Sequence, residues 1–380
     1  MERLVTTRGE FDLTRFPDDP RLRAWDAADE YLLRHLDEAQ VALEGAVVVL
    51  GDRWGALTTA LAGCRPTQIT DSWLGQAATR KNLERAGAGM AGTDAVRLLT
   101  TRDTPPGRID VLLVRVPKSL ALLEDQLHRL APAVHAGTVV VGTGMAKEIH
   151  TSTLRLFETI IGPTRTSPAV RKARLIFCAP DPEIARAPSP WPLSYDLPDG
   201  VGIASGRTVV NHAGIFCADR LDIGTRFFLQ NLPDGRDFER IVDLGCGNGV
   251  VGMAAALAHP RAEVLFTDES FQAVASAEAT YAANVDGKAE FGTGDGLSAR
   301  AAGSADLVLN NPPFHSHQAT TDATAWRMFT GARHALAPGG ELWVVGNRHL
   351  GYHVKLRRIF GNCATVASNP KFVILKARRK

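Results

Sequence analysis

The stretch Asp243-Leu-Gly-Cys-Gly-Asn-Gly249 begins inside the β-like run 240–244 and leads directly into the apolar segment 250–258. Glycines at these positions permit a tight turn with positive φ and let the backbone approach a ligand closely. Loop amides and the N-terminus of the following helix form a binding ledge for a nucleotide-like molecule. The stretch therefore predicts the strand, glycine turn and helix that open an α/β domain.

The order of signals around this turn occurs twice along the chain. Short apolar runs alternate with helix-like segments in both halves, as in a parallel sheet covered by helices. Matching positions have nearly equal spacings: 194 residues for Gly51 and Gly245, 197 for Asp71 and Asp268, and 195 for Pro117 and Pro312. We infer an internal duplication of one Rossmann-like α/β domain.

A proline-rich segment separates the two copies. Residues 179–198 hold six prolines, and proline fixes φ and biases the preceding residue away from helix. We therefore predict domains at 1–178 and 199–380, joined by an extended linker at 179–198. In the first copy Gly51-Asp-Arg-Trp-Gly55 replaces the glycine ledge with bulky side chains. We expect the first domain to be degenerate and only the second to bind a cofactor.

Composition excludes several classes of protein. With 45% hydrophobic and 22% charged residues among 380, the chain is typical of soluble globular proteins. No apolar run approaches the about 20 residues that span a bilayer, and charges lie where a signal peptide needs apolar residues, so we expect a cytoplasmic protein without membrane association. The five cysteines include no Cys-x-x-Cys pair, and His315 and His317 have no third ligand at suitable spacing. We predict reduced thiols and no metal site.

The net charge of +2 conceals an uneven distribution. Residues 342–380 contain nine Lys or Arg and no Asp or Glu, whereas the first 341 residues contain 34 basic and 41 acidic groups. A concentrated positive end suits binding to a phosphate backbone. A solvated basic face would give the same count, so both interpretations stay open.

Three carboxylates along the second copy bear on the identity of the cofactor. The stretch 247–252 also fits the dinucleotide pattern G-x-G-x-x-G, which is weak on its own. Asp268, 25 residues after Asp243, can bond the ribose hydroxyls of S-adenosylmethionine or of NAD. Asp243 can help position a methionine end and Asp295 can accept from an adenine amino group, although each can also cap a turn. The order of the three favours S-adenosylmethionine, with these predicted binding residues: Asp243, Gly245, Gly247, Gly249, Asp268, Asp295 and Asn310.

The segment Asn311-Pro-Pro-Phe314 follows the strand-like run 307–310 and resembles the signature of methyltransferases that modify exocyclic or amide nitrogens. Such a nitrogen is planar and a poor nucleophile, so preorganised acceptors for its N–H bonds can aim its lone pair at a methyl donor without a strong base. The Asn311 side-chain oxygen and the Pro312 carbonyl are the predicted acceptors, and Phe314 offers a face for a flipped-out ring. We therefore predict Asn311, Pro312 and Phe314 as catalytic residues, although a tight turn with a core Phe would have the same sequence.

The motifs are carried by a chain that resembles, over almost its full length, the bacterial ribosomal RNA guanine-N2 methyltransferases with two tandem domains. Three stretches carry the likeness: 15–17 with 24–33, 310–329, and 347–377. The chain resembles the enzymes that act on 23S rRNA of the large subunit more closely than it resembles those that act on 16S rRNA. The resemblance implies two tandem class I methyltransferase domains, of which the degenerate N-terminal one serves RNA recognition or support. It also implies transfer of a methyl group from S-adenosylmethionine to the N2 amino group of one guanine.

Other functions remain open from the residues alone. We expect Lys355, Arg357 and Arg358 to contact rRNA phosphates, and we expect a monomer because the duplication already supplies an internal pair. The alternatives are a 16S rRNA enzyme, a protein-glutamine N5 methyltransferase, an NAD-dependent oxidoreductase, and an rRNA-binding assembly factor without activity. Transfer of a methyl group to RNA would support a methyltransferase. Binding of NADH but not of S-adenosylmethionine would support the oxidoreductase, and RNA affinity without transfer would support the assembly factor.

Overall fold

The apolar runs of each half form the inner strands of a sheet, and helices cover both faces. The computed structural model describes residues 3–19, 21–87, 96–313 and 318–380, apart from the side chains of 318–322. Contacts divide the chain into Met1–Pro190 and Trp191–Lys380, which we call unit 1 and unit 2. The prediction of an α/β fold with two tandem Rossmann-like domains is confirmed.

The proline-rich segment is shared between the units rather than forming a free linker. Its first part lies on unit 1, where the Asp181 amide donates to the carbonyl of Ile161 (2.8 Å) and Ser189 Oγ donates to Asp125 (2.7 Å). Its second part contains the strand Leu193–Asp196, which pairs with Thr208–Asn211 of unit 2. The linker predicted at 179–198 is therefore wrong for residues 193–196, because hydrogen bonds to the next strand hold them in unit 2.

Unit 1 contains a seven-stranded sheet and a short hairpin among its described residues. Its strands are β1 (Leu4–Thr6), β2 (Gly9–Phe11), β3 (Val47–Leu50), β4 (Thr67–Thr70), β5 (Arg97–Thr100), β6 (Ile109–Arg115), β7 (Val134–Met145), β8 (Thr164–Thr166) and β9 (Ala173–Cys178). Its helices are α1 (Ala27–Glu38), α2 (Ala56–Ala60), α3 (Trp73–Arg85), α4 (Leu120–Leu130) and α5 (Thr151–Ile160). The sheet order is β5-β4-β3-β6-β7-β9-β8, with β9 antiparallel to both β7 and β8.

Unit 2 has the same order of elements in the part of the chain that the structure describes. Its strands are β10 (Leu193–Asp196), β11 (Thr208–Asn211), β12 (Arg240–Leu244), β13 (Glu263–Asp268), β14 (Ala289–Thr293), β15 (Ala305–Asn310), β16 (Leu336–Asn347), β17 (Ala364–Ser368) and β18 (Phe372–Arg378). Its helices are α6 (Ile223–Leu229), α7 (Val250–Ala258), α8 (Phe271–Ala282), α9 (Gln318–Ala335) and α10 (Tyr352–Phe360). The sheet order β14-β13-β12-β15-β16-β18-β17 repeats that of unit 1 strand for strand.

The central strands β12 and β15 are parallel neighbours in the sheet of unit 2. After β12 the chain builds the sheet in one direction through β13 and β14, and β15 then starts the other direction. The carboxyl ends of β12 and β15 therefore border the point at which the strand order reverses. In open α/β sheets ligands bind in the crevice at this place.

The strand register of the two sheets shows which residues of unit 1 and unit 2 correspond, and it does so more precisely than spacing in the sequence. Leu50 lies opposite Val114 in unit 1, and Leu244 lies opposite Asn310 in unit 2. Leu50 and Leu244 each precede by five residues the left-handed glycine that begins the next helix. Arg115 is thus the counterpart of Asn311, and the predicted pairing of Pro117 with Pro312 is wrong by one residue.

Gly249 is the position in the turn at which a side chain is least acceptable. It has φ +76° at the start of α7, and a Cβ there would lie 2.7 Å from the Cα and Cβ of Ala277 on α8. Gly247 also has positive φ (+53°), but a Cβ on it would meet no described atom within 4 Å.

We predict that Gly249→Ala lowers the free energy of unfolding more than Gly247→Ala does. Both substitutions place a Cβ in the left-handed region, at about 1–2 kcal/mol, and only the first adds overpacking, at about 1–3 kcal/mol. Denaturant unfolding of both variants measures the difference. Equal destabilisation would contradict the packing argument.

Candidate active site at the reversal of strand order

Asn310 fixes the two central loops of unit 2 to each other. Its side chain is fully buried at the end of β15, and its Nδ2 donates to the carbonyl of Leu244 at the end of β12 (2.7 Å). The glycine turn starts directly after Leu244, and the Asn-Pro-Pro segment starts directly after Asn310. The amide nitrogen of Asn310 therefore binds backbone rather than a ligand. Cofactor contact by its Oδ1, which has no partner among the described residues, stays a prediction.

The glycine turn is held by the end of β13. Asp268 Oδ2 accepts from the amide of Gly247 (3.1 Å), and Asp268 Oδ1 accepts from the amide of Ser270 (3.0 Å). The amide of Gly245 donates to the carbonyl of Thr267 (2.8 Å). Burial raises the pKa of Asp268 above its usual range. The carboxylate thus lies beside the turn at the carboxyl edge, as its predicted role with ribose hydroxyls requires.

Asp243 lies beneath the turn rather than on its surface. It is 3% exposed, and its Oδ2 accepts from the amide of Gly252 in the first turn of α7 (2.8 Å). Burial raises the pKa of Asp243 to about 8. One oxygen therefore anchors the helix N-terminus, and contact with the methionine end of a cofactor stays a prediction.

Asp295 follows β14 in the turn 294–296. Its Oδ1 lies 3.5 Å from Nη1 of Arg327 on α9, and both side chains are partly exposed. An exposed ion pair of this length contributes little free energy, so an amino group can displace it. The predicted contact of Asp295 with an adenine amino group stays a prediction.

Asn311 has one end of its amide occupied and the other available. Its Nδ2 donates to Thr225 Oγ1 on α6 (3.0 Å), whereas its Oδ1 is buried and has no partner among the described residues. Pro312 is buried next to it. The predicted catalytic residue Phe314 and the neighbouring His315 and His317 lie outside the described residues.

Thr225 belongs to the segment 214–225, which the family resemblance places beside the methionine end of the cofactor, but its contact with Asn311 was not predicted. It lies 86 residues before Asn311, in α6, whose N-cap residue is Asp222. The signal in the sequence is an Asp followed three residues later by a Thr at a helix start, which is an N-cap pattern. Such a pattern predicts where a helix begins but does not reveal which distant loop it contacts.

Unit 1 replaces each of these groups at the corresponding position. Arg53 takes the place of Gly247, and Arg115 takes the place of Asn311. Thr70 takes the place of Asp268, so the predicted pairing of Asp71 with Asp268 is wrong by one residue. The side chain of Arg115 is 0% exposed and pairs with Asp26 (2.7 Å), Asp29 (3.2 Å) and Glu148 (3.3 Å). Ion pairs thus occupy the place that unit 2 leaves to a ligand, in the same pattern as Arg53 with Asp26 (3.3 Å) and Glu148 (2.8 Å).

The three basic residues predicted to contact RNA differ in their surroundings on α10. Arg357 and Arg358 are exposed, and the Arg358 guanidinium lies 5.2 Å from the ring centroid of Trp326. Lys355 is half-buried, with Nζ 5.5 Å from the ring centroid of Tyr352. The two arginines are therefore better placed than Lys355 to reach a phosphate.

Among the described residues, no group of three His, Cys, Asp or Glu side chains converges in a way that could hold a metal ion. Within those same ranges no helix combines the length and the apolar character that crossing a bilayer requires.

A parallel sheet with a glycine turn after its first strand, an acidic residue after its second and an Asn-Pro-Pro loop after its fourth defines a class I methyltransferase. Residues 206–376 match the family model described as methyltransferase small domain, and residues 1–182 match the RLMG N-terminal domain. The chain belongs to the ribosomal RNA large subunit methyltransferase G family.

Relatives cover the whole length of the chain. It is 72% identical to ribosomal RNA large subunit methyltransferase G of Streptomyces avermitilis, over 99% of both chains. It is 48% identical to the protein of that name in Pseudomonas aeruginosa PAO1, over 99% of this chain and 100% of the other. A T. thermophilus 16S rRNA N2 methyltransferase in complex with AdoMet and guanosine has the same fold, with TM-score 0.76, 20% identity, and coverage of 100% and 98%.

We predict that Arg115→Ala destabilises unit 1 strongly. The substitution leaves Asp29, which is 5% exposed, in a buried place without its cation, and breaking a buried pair in this way costs about 3–5 kcal/mol. Arg108, whose side chain is 66% exposed and paired with Asp110, is the control, because Arg108→Ala should change stability by less than about 1 kcal/mol. Thermal unfolding compares the two, and a wild-type transition for Arg115→Ala would refute the account of the ion cluster.

Proposed function

We propose that the protein transfers a methyl group from S-adenosylmethionine to the exocyclic N2 amino group of a specific guanine in 23S rRNA. The observation that carries the proposal is the buried Oδ1 of Asn311, which has no hydrogen-bond partner among the residues that the structure describes. Family membership supports the large-subunit substrate. The fold shared with a 16S rRNA N2 methyltransferase agrees with the proposal.

The residues at the carboxyl edge fit S-adenosylmethionine. Gly247 leaves open space above the turn, and Asp268 supplies a carboxylate next to it. In this proposal Asp268 binds ribose hydroxyls, the open face of the turn at Gly247 lies against the cofactor, and Asp295 lies on the side of the adenine. When bound, S-adenosylmethionine supplies an electrophilic methyl group on a sulfonium centre.

Asn311 and Pro312 supply what the acceptor needs. The N2 lone pair of guanine is delocalised into the ring, so the amino group must be held and turned rather than deprotonated. The Oδ1 of Asn311 accepts one N–H and the carbonyl of Pro312 accepts the other, which directs the lone pair out of the ring plane. The bond from N2 to the methyl carbon forms as the bond from sulfur to that carbon breaks, and N2 then releases one proton to solvent.

The basic C-terminal end supports binding of RNA. Arg357 and Arg358 project from α10, which follows the carboxyl end of β16. We propose that they contact phosphates that flank the target guanine, that the chain acts as a monomer, and that it works in the cytoplasm, where rRNA is found.

We predict that Asn311→Ala lowers methyl transfer to 23S rRNA by about 100-fold or more, because preorganised acceptors at a reacting group are worth that much. Transfer of radiolabelled methyl followed by nucleoside analysis measures the rate and identifies the base. Protein-free 23S and 16S rRNA and assembled subunits serve as substrates. Unchanged cofactor affinity shows that the variant is folded.

Three outcomes would contradict this proposal. Wild-type transfer by Asn311→Ala would exclude the amide as the acceptor. Label in 16S rRNA or in a protein glutamine would favour one of the alternative substrates. Binding of wild-type protein to rRNA with no transfer to any substrate would favour an assembly factor.

We predict that replacing Arg357 and Arg358 together with Ala weakens rRNA binding and reduces its dependence on salt, with a log–log slope less steep by about 2, because two phosphate contacts are lost. Cofactor binding should not change. Arg261→Ala is the matched control, since Arg261 is 85% exposed beside Asp237 and precedes β13 at the opposite edge of the sheet. An unchanged slope in the double variant would exclude these contacts.

A further inference from the structure

Asp222 and Thr225 form a fixed pair at the start of α6. Asp222 Oδ2 accepts from the amide of Thr225 (2.9 Å) and from its hydroxyl Oγ1 (3.3 Å). A carboxylate can only accept hydrogen bonds, so the proton of the Thr225 hydroxyl points to Asp222. Towards any other neighbour, the hydroxyl oxygen of Thr225 can therefore only accept a hydrogen bond.

That neighbour is the amide of Asn311. An amide side chain has a donor end and an acceptor end of nearly equal shape, and its surroundings decide which way it faces. Thr225 Oγ1 lies 3.0 Å from Asn311 Nδ2 and can accept from it but has no proton left to give. The Nδ2 end is therefore held against α6, and the Oδ1 end is left without a hydrogen-bond partner among the described residues.

We propose that Asp222 and Thr225 are positioning residues that select the acceptor end of Asn311 for the target amino group. The inference rests on the proposed function and deepens it. A reversed amide would present N–H groups to the N–H groups of the guanine N2, and the two sets would repel each other. The pair thus determines that the site accepts an amino group instead of a carbonyl group.

The local packing keeps the pair in place. Gly224, which lies between the two residues, is buried, and a Cβ there would lie 3.0 Å from both Asp222 Oδ2 and Phe372 Cε1 on β18. The first turn of α6 therefore lies close against Phe372, and the Asp222 carboxylate lies where a side chain at position 224 would otherwise extend. The backbone at the start of α6 thus sets the geometry of the Asp222–Thr225 pair before any ligand binds.

The duplicated unit provides an internal comparison. Asp26 begins α1 as Asp222 begins α6, and Asp29 occupies the position of Thr225. Asp29 Oδ1 accepts from Nε of Arg115, which is the counterpart of Asn311 (3.2 Å). The contact between this helix start and this strand end is thus a property of the fold. In unit 1 it is a charged pair, and in unit 2 it is a neutral pair that leaves an acceptor available.

The test compares Thr225→Val with Thr225→Ser in the full-length protein on 23S rRNA. Valine has nearly the shape of threonine but no hydroxyl, so the amide of Asn311 loses its directing partner. We expect kcat to fall about 10- to 100-fold, the effect of a misplaced reacting group, with KM for RNA and affinity for S-adenosylmethionine unchanged. Serine keeps the hydroxyl and should restore most of kcat.

A second variant covers the case in which Thr225→Val does not fold. Asp222→Gly keeps most of the N-cap stability but removes the oxygen Oδ2 that accepts from the Thr225 hydroxyl, so the hydroxyl proton is free to turn towards Asn311. We expect a fall in kcat at a melting temperature close to that of the wild type.

A wild-type kcat in Thr225→Val, or failure of serine to restore kcat in a folded variant, overturns the inference and leaves the proposed function standing. A wild-type kcat in Asp222→Gly also overturns it. Absence of methyl transfer to guanine N2 by the wild-type protein itself contradicts the proposed function and the inference together.

Discussion

The hydrogen bond from Asn310 Nδ2 to the carbonyl of Leu244 fixes the starting points of the two loops that carry the predicted site. It joins the ends of two parallel neighbours at the point where the strand order reverses, inside a core that excludes water. A neutral hydrogen bond of this kind contributes only about 1 kcal/mol, but its geometric effect is larger. The glycine turn and the Asn-Pro-Pro segment start at the two residues that this bond joins. The predicted cofactor-binding turn and the predicted acceptor Asn311 are therefore held at a fixed distance from each other.

The two units have the same fold but different residues at the end of the fourth parallel strand. Both units place a helix start against the end of the fourth parallel strand, and both use a left-handed glycine to begin the helix after the first strand. Unit 2 leaves a buried acceptor at this place, whereas unit 1 places Arg115 there with three carboxylates around it. Buried charges must be paired, and the three carboxylates around Arg115 satisfy that requirement in unit 1 at the position where unit 2 has the neutral Asn311.

The sequence predicted the fold more completely than the site. Strand periodicity and repeated spacing predicted two α/β units, because buried parallel strands are continuous apolar runs that are easy to read. The glycine turn and Asn311 were identified because they are local motifs. The contact of Thr225 with Asn311 was not predicted, because it spans 86 residues and depends on how α6 lies against the sheet. The burial of Asp243 under the turn and the ion cluster around Arg115 likewise depend on tertiary packing, which spacing alone does not contain.

The measurement that tests the account most directly is the number and position of methyl groups that the wild-type protein adds to 23S rRNA. Deuterium-labelled S-adenosylmethionine and mass spectrometry of digested RNA provide both quantities. The account predicts one labelled methyl group per 23S rRNA molecule, found as N2-methylguanosine at a single nucleotide. Label on an adenine amino group, label spread over many guanines, or no label on naked or assembled 23S rRNA would contradict it.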